Sequence, residues 1–180
     1  MNFLRKHWYD LGGVFSIVVL IYILRKHTSL TNYQLIMWVS VVTLFFHQLE
    51  EYCIIGTFPG MLNTVMYKSP LPDRYPLNTN TAFCVNVIVG WVSYNAAALL
   101  AEKAIWLGIA TTLVSLGNII AHTLLFNIKG KTFYNAGLLT SWLLFAPCVY
   151  LVFSIIQKQH LATHTFSGCC DECDWNTEND

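Results

Sequence analysis

His47-Gln48-Leu49-Glu50-Glu51 places an imidazole and two carboxylates within five residues, directly after the apolar run from Leu35 to Phe46. Ionisable groups in or at the end of a membrane helix are expensive to keep there, so they read by default as a functional site. On a helix His47 shares a face with Glu50 at i+3 and Glu51 at i+4, and one ion or one substrate can meet all three. Gly117-Asn118-Ile119-Ile120-Ala121-His122 adds a second imidazole, with Asn118 one turn before it on the same face. His47, Glu50, Glu51 and His122 are ligand types for zinc, iron or manganese. Two imidazoles and one carboxylate leave a fourth position open, the arrangement of catalytic zinc, and the second carboxylate is then free to act as general base. By spacing alone either glutamate fits either role. Asn118 is expected to orient a ligand or bind a substrate carbonyl, and Tyr134 to donate a hydrogen bond to a developing oxyanion. A helix that starts near 134–140 presents free N–H groups, which favour an anion or a carbonyl oxygen.

The elements that must position these groups follow from composition. Of 180 residues, 55% are hydrophobic and 11% charged, with a mean hydropathy of +0.49. A soluble domain carries about 25% charged residues, so the chain reads as an integral membrane protein. Ten basic and ten acidic side chains cancel, which removes the basic surface that nucleic-acid binding needs. Windows of about 20 residues, the length that crosses the hydrocarbon layer, pick out 8–25, 34–55, 81–100, 105–127 and 136–157. The expected fold is an all-α bundle of five transmembrane helices over 1–160, followed by a polar, cysteine-containing tail over 161–180. Leu24-Arg25-Lys26-His27 follows the first segment where a signal peptide would need a small-residue cleavage site, so that segment is kept as a span.

The second and fourth spans run in the same direction. At about 1.5 Å per residue, His47 lies about 18 Å and His122 about 26 Å along its helix, compatible depths on one side of the bundle. That side carries Arg5, Lys6, Lys68, Arg74, Lys129 and Lys131, against Arg25, Lys26, Lys103 and Lys158 on the other. The excess places the amino terminus in the cytoplasm, and the expected location is a bacterial cytoplasmic membrane. Residues 56–80, with four prolines, are expected to form an ordered loop or short broken helix and to act as a lid or substrate entrance. Asn95 is expected to bond across helices, and Glu102 to pair with Lys103 at the interface or to lie in a solvated turn. Cys53, Cys84 and Cys148 read as small buried hydrophobes. Cys169, Cys170 and Cys173 contain one Cys-x-x-Cys pair, with no second pair or downstream histidine to complete a zinc site.

His47-Gln48-Leu49-Glu50-Glu51-Tyr52, Phe58-Pro59-Gly60, Asn118 to His122, and Tyr134-Asn135-Ala136-Gly137-Leu138-Leu139-Thr140 together resemble the membrane proteins named after their HXXEE motif. The resemblance covers most of 47–140, with Ala136 standing where relatives tend to carry proline. It implies a five-helix membrane bundle with a metal-binding or enzymatic site at these residues.

The expected function is a membrane-embedded metal-dependent enzyme, a hydrolase acting on a lipid or other hydrophobic substrate. Its cofactor would be a divalent metal, zinc first and iron or manganese next, and its partners membrane lipid and a small hydrophobic substrate. One alternative is a metal-free acid/base isomerase of a lipid or isoprenoid, since a buried glutamate beside a histidine can exchange protons near neutral pH. The other is a non-enzymatic protein that binds a metal, or a haem between His47 and His122. Transport is disfavoured, because the chain shows no internal repeat.

Overall fold

The computed structural model describes residues 2–171, with side chains from Phe3 to Lys158. Six helical rods carry the chain, and no strand occurs among the described residues. α1 (Asn2–Lys26) bends at His7, whose φ is −129°. α2 begins at Asn32, where the Thr31 hydroxyl accepts from the Gln34 N–H at 3.0 Å, runs as Asn32–Leu49 and passes into a π-helical turn, Glu50–Ile54. α3 is short, Phe58–Val65, with Pro59 in its first turn, where a missing N–H does no harm. α4 starts on an Asn78 capping box and joins Thr79–Phe83, π-helical Cys84–Trp91 and Val92–Leu100. The chain then folds back at Ala101, φ +44°, through a 3-10 turn, Ala101–Ala104. α5 joins Ile105–Ile120 to π-helical Ala121–Lys129, and α6 joins Leu138–Thr140, π-helical Ser141–Phe145 and Ala146–Asp171.

The predicted segments coincide with the five long rods within a few residues, except that α6 continues past 157. Cys169, Cys170 and Cys173 lie outside the described side chains.

α2 is the central rod, and α1, α4, α5 and α6 pack around it. Tyr33, Met37, Val41 and Phe45 of α2 meet Tyr94, Ala97 and Ala98 of α4 and Phe145, Cys148 and Val152 of α6 in one buried cluster. Between apolar helices in lipid, close van der Waals contact decides the association, and small residues permit it. Gly12 and Gly13 do this on α1: a Cβ would lie 3.2 Å from Phe45 Cδ1 at the first and 3.1 Å from Leu49 Cδ1 at the second. Val14, Ile17, Val18, Ile21 and Leu24 on the same helix face outward.

Among the described residues, three helical stretches are long and apolar enough to cross a membrane: Phe3–Ser29, Thr79–Lys129 and Leu138–Lys158. Five separate spans were expected. The 51-residue middle stretch is α4 and α5 doubled back at Ala101, and α2 is not among the three. Enclosed by its neighbours, α2 can hold Ser40, Thr43, His47 and Gln48 in buried positions without presenting them to an apolar surround. One further expectation is corrected: Asn95 turns back to the Trp91 carbonyl of its own helix. Glu102 lies exposed in the turn Ala101–Ala104, as one of its two readings had it, and accepts from the Thr31 hydroxyl instead of pairing with Lys103. Cys148 alone of the three cysteines is buried.

Residues 56–80 form α3 and a loop that Asn63 ties down. Its buried amide donates to the Pro72 and Leu77 carbonyls and accepts from the Leu77 N–H, each at 2.8 Å. Asn63→Leu leaves these loop groups without partners, at about 1–3 kcal/mol. The expected outcome is faster limited proteolysis within 66–77 than in the wild type, with cleavage elsewhere unchanged.

Candidate metal centre

The end of the bundle where α2 and α5 finish and α4 and α6 begin holds the polar residues. In a helix successive side chains point about 100° apart, so Glu50 and Glu51 leave α2 toward different neighbours. Glu51 faces the two imidazoles, with Oε1 3.4 Å from His47 Nε2 and 3.2 Å from His122 Nε2. His47 is 2% exposed, His122 0% and Glu51 4%. The imidazole rings meet edge to face with centroids 5.0 Å apart.

The other ring nitrogens show what holds each imidazole in place. Asn135 donates through Nδ2 to the His122 carbonyl at 2.8 Å and to Asn127 Oδ1 at 2.6 Å. Its Oδ1 therefore faces His122 Nδ1, 2.6 Å away, and accepts from it. Thr140 has one hydroxyl hydrogen and gives it to Glu50 Oε2 at 2.6 Å, so it accepts from His47 Nδ1 at 2.8 Å. With both Nδ1 atoms spent on these partners, both Nε2 atoms face Glu51, and each is a ligand atom when its imidazole is neutral. Neither Nε2 has a hydrogen-bond partner.

Three ligand-type atoms thus converge, all within 4.8 Å of one another, in a buried place. Tetrahedral ligands at about 2.0–2.1 Å from zinc stand about 3.4 Å apart, close to the two carboxylate-imidazole separations.

Glu50 does not join the three. It accepts from the Tyr134 hydroxyl at 2.5 Å, the Leu139 N–H at 3.3 Å, and the Thr140 N–H and hydroxyl at 2.8 and 2.6 Å. It is therefore the anion at the amino terminus of α6, where free N–H groups and the helix dipole favour negative charge. Its oxygens are occupied, so the roles of metal ligand and general base envisaged for it from spacing do not match its place. Tyr134 spends its hydroxyl on Glu50 and not on the cavity. Asn118 donates to the Val114 carbonyl of its own helix at 3.1 Å and borders the cavity without touching His122.

Three residues in direct support, Asn135, Thr140 and Gly137, lie in the motif segment 134–140 but received no role of their own from sequence. Gly137 has φ +100°, and a Cβ there would lie 2.8 Å from His122 Nε2 and 2.9 Å from His47 Cε1. Only glycine lets the chain pass over both rings. π-helical segments occur on α2, α4, α5 and α6, and each contains or borders a site residue, a frequent placement for such segments.

Beside the three ligand-type residues lies a cavity of about 500 Å³. His47, Glu51, Gln48, Tyr52 and Asn86 border it together with Leu44, Leu107 and Phe58. α4 and α5 pair along Val92–Leu100 and Ile105–Ile120 and part beyond them. Val85, Val89 and Val114 line the cavity and are also more than half exposed, so it opens sideways between the two rods. Phe58 of α3 packs against His122 and Phe126 and covers the end of the site.

Over residues 38–152 the chain matches the family model described as a protein of unknown function with HXXEE motif. It belongs to that family. The motif residues are His47, Glu50 and Glu51, and the matched range also takes in His122, Asn135, Gly137 and Thr140. No curated protein and no solved structure matches the chain.

Burial and the neighbouring Glu50 push the Tyr134 phenol from its ordinary 10.0 up to about 12. A raised phenol favours its protonated form in the folded protein. Its contribution to stability is complete below about pH 10 and is lost as pH rises through about 12. Chemical unfolding across that window should show a stability loss in the wild type that Tyr134→Phe reduces. Identical slopes for the two proteins would remove the Tyr134–Glu50 link.

Proposed function

We propose that this protein is a membrane-embedded metal-dependent enzyme, a hydrolase whose substrate is a lipid or similar amphiphile. One observation carries the reading: His47 Nε2 and His122 Nε2, neither with a hydrogen-bond partner, and a Glu51 oxygen meet in one buried site. Acceptors repel unless a cation separates them, and two imidazoles with one carboxylate suit zinc, iron or manganese.

A divalent ion held there would act as a Lewis acid on a substrate oxygen or a water. The protein's own share is orientation and exclusion. Asn135 and Thr140 fix the imidazole tautomers, Glu50 holds Thr140, Gly137 leaves room for both rings, and Phe58 keeps bulk water from one end. Glu50 is in this reading a positioning residue. The sideways cavity supports a substrate that arrives from the bilayer with its scissile polar group leading.

In the same reading all five long rods cross the membrane, with α2 shielded by the others. The excess of lysine and arginine at the site end puts that end and the amino terminus in the cytoplasm, as in a bacterial inner membrane protein.

Elemental analysis of detergent-purified protein tests the metal. The wild type should carry near-stoichiometric zinc, iron or manganese, and a His47→Ala, His122→Ala double variant none. Asn135→Ala and Thr140→Val should each lower metal affinity by about 10–100-fold, since residues that orient a ligand have effects of this size. Metal-loaded wild type should release free acid from acyl esters or amides, and the double variant should not. Wild type purified without chelators and free of metal assigns the cluster instead to proton transfer, with a protonated imidazole on Glu51, which is the isomerase alternative.

A further inference from the structure

The wall of the cavity that faces away from α6 carries a chain of hydrogen bonds whose direction is fixed at both ends. The Trp91 indole can only donate, and it does so to Gln48 at 2.7 Å, so the Gln48 atom it meets is Oε1. Gln48 Nε2 then donates to Asn86 Oδ1 at 3.1 Å. At the other end the Ala82 carbonyl can only accept, and it takes Asn86 Nδ2 at 2.9 Å, which gives Asn86 the same orientation independently. Asn86 Nδ2 also reaches the Tyr52 hydroxyl at 3.1 Å, and the phenol oxygen is the acceptor there. The Tyr52 hydrogen is left over. No acceptor among the described residues takes it.

Tyr52 and its partner Asn86 both border the large cavity, alongside His47 and Glu51. The Tyr52 ring is held between Trp8, at 4.8 Å, and Phe58, at 5.8 Å, and lies parallel to Tyr9 at 6.2 Å. A clamped ring with a directed, unspent donor is a preorganised site for an acceptor oxygen. The rest of the cavity, from Leu44 to Val89 and Val114, is apolar and opens sideways.

We infer that Tyr52 is the substrate-binding donor of this cavity, and that its ligand is a single apolar chain ending in a carbonyl oxygen, as in an acyl ester, acyl amide or ketone. The chain lies between α4 and α5, and the carbonyl oxygen accepts from Tyr52 beside the three ligand-type residues. This deepens the hydrolase reading by naming its substrate class. Tyr134, the phenol that the spacing of the sequence favoured for this task, is engaged with Glu50 and leaves the place to Tyr52.

The test uses 2-undecanone labelled with carbon-13 at its carbonyl, a ketone that cannot be hydrolysed. Its carbonyl stretch is read by isotope-edited infrared spectroscopy on full-length protein in nanodiscs, as purified and after chelator treatment. Wild type should show a saturable, down-shifted carbonyl band in both preparations. Tyr52→Phe should bind the ketone and lose that band, while Tyr9→Phe, which alters the neighbouring ring, keeps it. Equal unfolding temperatures of the variants verify that the fold is intact. A down-shifted band that survives Tyr52→Phe assigns the donor to another group such as Gln48 and overturns the inference. Wild type that does not take up the ketone overturns the substrate class. The metal plays no part in the chelated sample, so a failed metal analysis and a failed donor assignment read out separately.

Discussion

Two imidazole nitrogens and a carboxylate oxygen brought to one buried point organise this protein. An imidazole acceptor buried against a second imidazole and a carboxylate has no favourable state in a low-dielectric interior until positive charge arrives, as an ion or as a proton. The arrangement persists because each imidazole has its other nitrogen tied. Asn135 and Thr140 hold the two Nδ1 hydrogens, and the rings cannot turn away from Glu51 without giving those bonds up. The burial of both rings and of the carboxylate means that the surrounding helices, not solvent, bear the cost of keeping the acceptors together.

Much of the surrounding structure serves that point. Glu50 couples α2 to the start of α6 and, through Thr140, to His47. Gly137 brings the chain over both rings with a backbone conformation and a closeness that a side chain would forbid. The π-helical segments of α2, α4, α5 and α6 all fall at this end of the bundle, whereas the other end is an ordinary close-packed helical core around Tyr33, Met37 and Ala98. Stability and site are thus separated along the bundle axis. The packed half fixes where α4 and α5 meet, and their parting beyond it creates the cavity.

The cavity has two chemically different walls. One bears His47 and Glu51, the acceptor side, short of positive charge. The other bears Gln48, Asn86 and Tyr52, in which every hydrogen bond runs the same way and ends on a free phenol hydrogen. On the proposed reading, a group with an electron-rich oxygen suits the space between an ion held by the first wall and the donor on the second. The apolar passage between α4 and α5 suits the chain that carries it. Family membership, with its motif His47, Glu50 and Glu51, is in keeping with a site built on these residues.

Composition and periodicity alone established an all-helical chain, the extent of its five long rods, the parallel course of α2 and α5 and hence the shared depth of His47 and His122. These are properties of single segments and their order, and hydropathy carries them. What each polar side chain touches is not such a property. Asn118 shares a helical stripe with His122, yet its amide closes on its own helix, and the residue that holds His122 is Asn135, thirteen positions later on a connecting segment. Glu50 and Glu51 are equivalent by spacing to His47. Only the placement of α6 decided that one caps a helix and the other meets the imidazoles, because a side chain's partner depends on which neighbouring rod lies in the direction it points. The tertiary structure likewise decided that Tyr134 is spent and Tyr52 free, since a hydroxyl's role is set by the donors and acceptors that packing brings to it.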